Sequence, residues 1–526
     1  MSNAFKAQYD VVVIGGGHNG LTAAAYLART GLSVLVLERQ PNLGGAAFTT
    51  QVFPGVDARL SRYSYLLSMF PPQIMADLGL RFESRKRAVA SFTPTFQGSE
   101  HKALLVSNID EAATIRSFHS LTGSDAEYRA HQRYEGLIAA FADRVWPTLL
   151  SPLMTREAMR GLFDSDDAKE AWRLVIEEPL GVGIERLLRD DAVRGLIFSN
   201  AKIGVLTHPH DETMLQNRTY IYHVIGQGTG EWRVVFGGMG AVSQELARAA
   251  REAGAQLVTE ASVDRVNPDT VTFTHGDQTH TVGARYILAN VAPVVLNRMA
   301  GQEILPNPQV EGSVFKINLV LKRLPKLKAQ GYTPQEAFTG TFHIDEGYAA
   351  MQASYRAASD GHIPTPPPGE MYCQTITDPS TLSPELRELG YHTLTLFGAD
   401  LPARLFRKDN VQVREDVVQR YLRGINRYLD EPIEDCLAID GNGQPCIEAK
   451  SPVDLENELG MPGGHIFHQD MRWPFVDDPA LAGTWGVETA LPNVFVCGSG
   501  AQRGGCVSGI PGHNAAMKVL ECEGQR

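Results

Sequence analysis

Residues 9–45, YDVVVIGGGHNGLTAAAYLARTGLSVLVLERQPNLGG, leave this chain little choice of fold. Residues 11–14 are apolar, β-branched and uninterrupted, the pattern of a parallel strand buried on both faces. The strand runs into Gly15-Gly16-Gly17-His18-Asn19-Gly20, and a helix over residues 21–30 follows, rich in alanine and stopped by Gly31. A second strand over residues 33–37 ends at Glu38. This is the βαβ unit that binds dinucleotides. Gly15 permits the tight turn, Gly17 lets a pyrophosphate reach the backbone, and Gly20 lets helix and strand pack closely. Gly16 and Asn19 belong to the same turn, where free N–H groups and the positive helix end attract phosphate. Glu38, 23 residues beyond Gly15, is placed to accept from ribose hydroxyls and to repel a 2′-phosphate, so NADP is disfavoured.

A chain of 526 residues exceeds a single core, so two or more domains are expected. A net charge of −12 without a long basic run argues against nucleic acid and against electrostatic docking to anionic lipid. No run of 18 apolar residues is present, so no spanning helix is expected. The first strand starts too early for a cleavable leader to precede it, which makes the cytoplasm the expected compartment. All six cysteines lie at or after Cys373, and none forms a CxxC or CxxxxC pair. A redox dithiol beside the nucleotide motif and a zinc ribbon are both excluded, and no metal site is expected.

Further along, strands are expected at 89–96 and 102–106, and helices through 124–189. There Ile138, Phe141, Val145 and Leu149 recur at helical spacing. Such a face usually packs on a core; the alternative is a surface that touches a membrane. A helix over 241–253 leads to a strand at 255–259 that continues at 263–266. Residues 271–275 and 279–282 form a hairpin, and 285–289 a separate buried strand. Residues 315–321 alternate as a strand. The proline-rich 364–369 is expected to be an exposed connector. A strand is expected at 392–397, a helix over 411–428, a strand at 493–497 and a last helix over 514–520.

Four stretches taken together resemble the flavoprotein oxidoreductases of the phytoene desaturase and amine oxidase superfamily. They are VVVIGGGHNGLTAAAYLARTGLSVLVLE, the segment Arg39 to Gly45 with Thr49, GGMGAVSQELARAAREAGAQLVTEASVDRV, and NVFVCGSGAQRGGCVSGIPGHNAA. DARLSRYSYLLSMFPPQI and DLENELGMPGGHIFHQDM further resemble the subfamily called pyridine nucleotide-disulfide oxidoreductase domain-containing protein 2. The resemblance implies an α/β protein in which a Rossmann-type, glutathione-reductase-like FAD-binding domain is interleaved with a mixed α+β substrate domain. The expected FAD-binding parts are 1–85, 225–300 and 488–526, and the substrate parts 86–224 and 301–487.

It also implies FAD as cofactor. Carried over by position, Gly15, Gly16, Gly17, Asn19 and Gly20 would hold pyrophosphate and Glu38 the adenosine ribose. Arg39, Gly44, Gly45 and Ala46 would support the pyrophosphate and ribityl side, Val263 would meet adenine through its backbone, and Gly498, Ser499 and Ile510 would border the ribityl chain and the flavin. The implied reaction is hydride transfer from a C–H bond of an apolar small molecule to flavin, with an electron acceptor that the sequence does not name. The alternatives are an amine oxidase and a flavin-bearing regulatory protein, since animal relatives are tied to mitochondrial function. A peripheral membrane contact stays open. Catalytic candidates are Lys316, His223 and His513. A strand lysine usually faces solvent, but amine oxidases of the superfamily place one near the flavin on a comparable strand. Arg62, His465, His468 and Cys506 are further side chains to locate.

Overall fold

The computed structural model describes residues 5–302 and 311–524. The ends of the expected segments 1–85 and 488–526, and 303–310 of the segment 301–487, lie outside the described residues.

The first strand, Gln8–Ile14, pairs in parallel with Val34–Leu37 on one side and with Gln278–Ala289 on the other. Gln256–Val258 extends the sheet beyond Val34–Leu37, and Val494–Val496 adds in parallel to the far side of Gln278–Ala289. Three distant parts of the chain thus build one sheet. The helices His18–Arg29, Gly240–Glu252 and Ile510–Cys522 pack together beside it. The strand cores, Val11 to Val13 and Val34 to Leu37 among them, are buried on both faces, as their uninterrupted apolar character requires.

Four boundaries differ from expectation. The helix expected from residue 21 starts at His18, directly after the glycine turn. The last helix starts at Ile510 instead of residue 514. The hairpin strand and the buried strand over 279–289 are a single strand of 12 residues. Its first half pairs antiparallel with Thr270–His275 and its second half in parallel with Val494–Val496. The expected continuation from 255–259 into 263–266 is instead a departure. Glu260 adopts φ 54°, the chain leaves the parallel sheet, and Ala261–Asn267 opens an antiparallel meander with Thr270–His275.

The second sheet is built from Ile447–Lys450, Phe315–Leu321, His392–Gly398, Gly369–Tyr372, Thr341–Ile344, Val89–Gln97 and Glu100–Ser107, in that spatial order. Phe315, Ile317, Leu319 and Leu321 face an apolar core with Leu394, Leu396 and Met371. Lys316 and Asn318 point the other way, yet both are buried. This polar sheet face is covered, and the cover is the segment carrying Arg62 and Tyr63, whose carbonyl oxygens accept from Asn318 Nδ2 at 3.0 Å and Lys316 Nζ at 2.8 Å. The expectation that Lys316 faces solvent is therefore overturned. So is the exposed connector: Pro367, Pro368 and Gly369 are buried, and the Pro368 carbonyl accepts from the Tyr421 hydroxyl at 2.8 Å.

Helices occupy much of 124–189, with Ala126–Val145 the longest of them. The chain turns at Trp146–Thr148, where Pro147 cannot continue the helix. Ile138, Phe141, Val145 and Leu149 all enter a buried cluster, so this face is core and is not available to a membrane. Phe141→Ala is expected to cost about 3–5 kcal/mol through the cavity it leaves. The urea midpoint measures this, and a loss under about 1 kcal/mol would mean the side chain is not buried in solution. Among the described residues no helix is long and apolar enough to cross a membrane.

Candidate active site and its cofactor cradle

The turn after the first strand is held by contacts that tolerate no side chain. Gly15 has φ 98°, and a Cβ there would lie 2.9 Å from the Asn290 carbonyl oxygen. A Cβ on Gly20 would lie 2.3 Å from the Gly15 carbonyl oxygen, so that glycine lets the helix sit on the strand end. Gly17 faces Gly45 across a narrow gap, and the Gly44 N–H donates to the Gly16 carbonyl at 2.8 Å. Gly44, at φ 119°, makes that approach possible.

The helix His18–Arg29 begins without a side-chain cap and without an acid in its first turn. Its first N–H groups and positive end stay available for an anion. Glu38 accepts from the Gly16 N–H and the Gln40 N–H, each at 2.7 Å, and its own backbone is clamped between Val258 and Ala261. Burial raises its pKa, with the two N–H donors opposing. The chain's departure at Glu260 is what brings Ala261, Ser262 and Val263 beside it.

One cavity of about 480 Å³ runs from this acid to the polar face of the second sheet. Its wall includes Gly15, Gly17, Asn19, Glu38, Arg39, Gly45, Ala46, Val263 and Ser499, together with Lys316 and His223. Gly16, Gly20, Gly44, Gly498 and Ile510 stand behind that wall: Gly16 orients Glu38, Gly20 and Gly44 set the close packing, and Gly498 lies against Asn290. Ile510 is wholly buried at the start of the last helix. His513 is not on the cavity either. Its ring packs between Tyr26 and Trp485, and Nδ1 meets Asn514 Oδ1 at 2.9 Å, so the structure gives it no path to a reacting atom. Thr49 accepts from the Gly240 N–H at 2.8 Å and so anchors the neighbouring helix.

At the sheet end the cavity is aromatic. Tyr65, Trp232, Phe397 and Phe467 line it, and sequence reasoning named none of them as site residues. Phe397 stands directly opposite Lys316 in the strand register, but that register is invisible in a single sequence. Tyr65 lies in the hydroxyl-rich stretch around Arg62. Arg62 itself turns away and pairs with Glu448, its Nε 3.0 Å from Oε1.

Lys316 Nζ sits 4.2 Å from the Tyr65 ring centre. Burial holds its pKa well below the usual lysine value, against a smaller pull from Glu448. His223 stacks on Trp232, and burial lowers its pKa to about 4, partly opposed by the Thr219 carbonyl at its Nδ1. His468 also lines the cavity, at about 4 through burial and the nearby His465 and His18. His465 is buried and meets Asp470 at 3.3 Å. Cys506 lines the cavity with its thiol pushed up to about 12 by burial. Burial thus disfavours the charged forms of Lys316, His223, His468 and Cys506 at this end.

FAD fits these residues. His18 Nε2, Asn19 Oδ1 and His468 Nδ1 are buried on the cavity wall without partners, which is costly unless a ligand supplies them. The glycine cradle, the uncapped helix and the buried ribose acid complete the donor set for a dinucleotide.

A family model for an NAD(P)-binding Rossmann-like domain matches residues 13–76. A protein of Mycobacterium tuberculosis is 43% identical over 98% of both chains. Pyridine nucleotide-disulfide oxidoreductase domain-containing protein 2 of Mus musculus is 31% identical over 98% of this chain and 94% of its own. The solved cyclohexylamine oxidase of Brevibacterium oxydans shares the fold, with TM-score 0.55 at 16% identity, covering 99% of this chain and 100% of its own. Fold and site define the class: an FAD-binding oxidoreductase with a Rossmann-type domain. The chain belongs to the family of pyridine nucleotide-disulfide oxidoreductase domain-containing protein 2. Its own six cysteines are all free.

Proposed function

We propose that this protein is an FAD-dependent dehydrogenase that takes hydride from a C–H bond of a small, neutral, apolar substrate. The observation that carries this reading is the sheet end of the cavity, which is aromatic and where burial disfavours the charged forms of Lys316 and His223. A cationic substrate such as a diamine would meet aromatic rings and buried basic side chains there, and desolvating a charge without a close partner costs several kcal/mol. That ranks the amine oxidase reading second and restricts it to amines that bind unprotonated.

FAD, when bound, supplies the hydride acceptor. Glu38 holds the ribose, and the backbone of 15–20 and 44–46 cradles the phosphates. Tyr65, Trp232, Phe397 and Phe467 exclude water and orient the substrate by shape. Lys316 Nζ, its pKa lowered by burial and its position fixed by the Tyr63 carbonyl, is the base or water-holding group nearest the aromatic end. The expected compartment is the cytoplasm.

Protein purified and refolded with FAD is expected to be yellow. A chain that stays colourless would remove the FAD assignment. Anaerobic stopped-flow of flavin bleaching against a metabolite panel is expected to select uncharged, apolar compounds. Bleaching by diamines alone would overturn the substrate class, and flavin that no compound bleaches would favour a regulatory protein.

A further inference from the structure

The strand register sets four side chains in one row across the second sheet. His343 lies opposite Glu370, Glu370 opposite Phe397, and Phe397 opposite Lys316. Partners across strands share a face, so the row leads from the cavity lysine into the closed interior. At its inner end His343 is 3% exposed, Glu346 4% and Glu370 5%. His343 Nδ1 bonds the Glu346 carboxylate, while its Nε2 has no partner. The Tyr372 hydroxyl donates to the Glu370 carboxylate. The Tyr65 ring packs against that of Tyr372, with ring centres 4.6 Å apart. Tyr65 is on the cavity wall. The two packed tyrosines therefore stand between the cavity and a buried acid.

The surrounding charges leave that acid room for a proton. Arg87, itself buried, lies beside Tyr372 and bonds Thr341 Oγ1 at 3.1 Å. Lys202 Nζ lies 2.8 Å from Asp400, both fully buried. Burial holds Glu346 well above the usual carboxylate range, with Lys202 opposing and Asp400 and Asp345 adding, so it shares any proton with Glu370. Arg87, Lys202 and Arg427, which pairs with Asp345 at 2.9 Å, thus stand against Glu346, Glu370, Asp400 and Asp345, and a single bound proton makes the group neutral. The Arg87 guanidinium beside Glu370 also disfavours a metal cation there. Burial, then Glu346, pushes Glu370 up to about 7, with His343, Tyr372 and Arg87 opposing. His343 is lowered to about 4 by burial and stays neutral.

We infer that Glu370, with His343 and Glu346, is a proton store wired to the active site through Tyr372 and Tyr65, and that it takes the proton released when substrate is oxidised. The inference rests on the oxidoreductase reading above. One substrate C–H bond breaks with its electron pair, which leaves as hydride to FAD. A bond to hydrogen on the neighbouring atom breaks, and its proton is taken by Lys316 Nζ, which lies over the Tyr65 ring, and passed to the Tyr65 oxygen. The Tyr65 proton passes to Tyr372 and the Tyr372 proton to Glu370, which becomes a carboxylic acid. Glu370 releases it when both electrons move on to an acceptor that takes two electrons and two protons.

The test is photoreduction of the FAD-loaded full chain in weakly buffered solution, with proton uptake followed by an indicator dye. Wild type is expected to take up as much as about one more proton per flavin near pH 7 than Glu370→Gln, because negative charge on the reduced cofactor raises the acid's affinity. Tyr372→Phe cuts the wire but keeps the acid, so its final uptake should match wild type while the uptake rate falls at least about tenfold. Equal stoichiometry in wild type and Glu370→Gln, with flavin bound and reduced in both, overturns the store. An unchanged rate in Tyr372→Phe overturns the wire. Melting of the apoprotein adds a readout without cofactor. A glutamate with a raised folded pKa adds stability below its unfolded value that is lost as pH rises through about 7. Glu370→Gln should remove that decline, and an unchanged decline overturns the proposal even if the flavin reading holds. A chain that binds no FAD takes down the reading and the inference together.

Discussion

Gly17→Val should leave a folded but colourless protein. The Cβ alone would lie 3.0 Å from Asn290 Nδ2, and the two further methyls must enter the gap facing Gly45 where the phosphates would run. Neither wall gives way, because Asn290 is tied to the Gly15 carbonyl at 3.0 Å and Gly44 to Gly16. Flavin affinity should fall by at least about 100-fold, equal to about 2.8 kcal/mol. Flavin absorbance per protein after extensive dialysis, beside an unchanged far-ultraviolet spectrum, measures it. Gly20→Val provides the contrast. Its Cβ meets backbone at 2.3 Å, so it should destabilise the apoprotein itself. Flavin content unchanged in Gly17→Val would show that the pyrophosphate lies elsewhere.

Lys316→Met should slow anaerobic flavin bleaching by the best substrate roughly 100- to 10,000-fold, the usual contribution of a positioned acid or base. It should also make the protein more heat-stable. In the folded chain burial disfavours the ammonium form, so the unfolded chain binds more protons below the ordinary lysine pKa. Wild-type stability therefore rises with pH across that window. Methionine has no charge to lose, so the gain in melting temperature should be largest at low pH and shrink towards pH 10. A rate loss accompanied by reduced stability would show that Lys316 serves the fold through its bond to Tyr63 and not the chemistry.

The nucleotide-binding half was legible because its constraints are local. Backbone conformation at Gly15, packing at Gly20 and the acid at the end of the second strand all fall within one continuous stretch. Boundaries failed where tertiary structure used one strand twice, as at Gln278–Ala289, whose halves serve different neighbours. The aromatic end was hidden because Tyr65, Trp232, Phe397 and Phe467 are far apart in sequence and converge only through strand register and loop path. Lys316 was named from resemblance. Its burial was not legible, because an alternating strand looks the same whether its polar face meets water or a covered cleft.

The parallel sheet draws its neighbours from residues near 10, near 285 and near 495. During synthesis the first two exist long before the third. Until Val494–Val496 leaves the ribosome, the second half of Gln278–Ala289 has a bare edge, and the helix His18–Arg29 still lacks its neighbour Ile510–Cys522. The cofactor cradle is incomplete until residues 494–507 are made, so a stop codon placed just before residue 494 discards the function of the 493 residues before it.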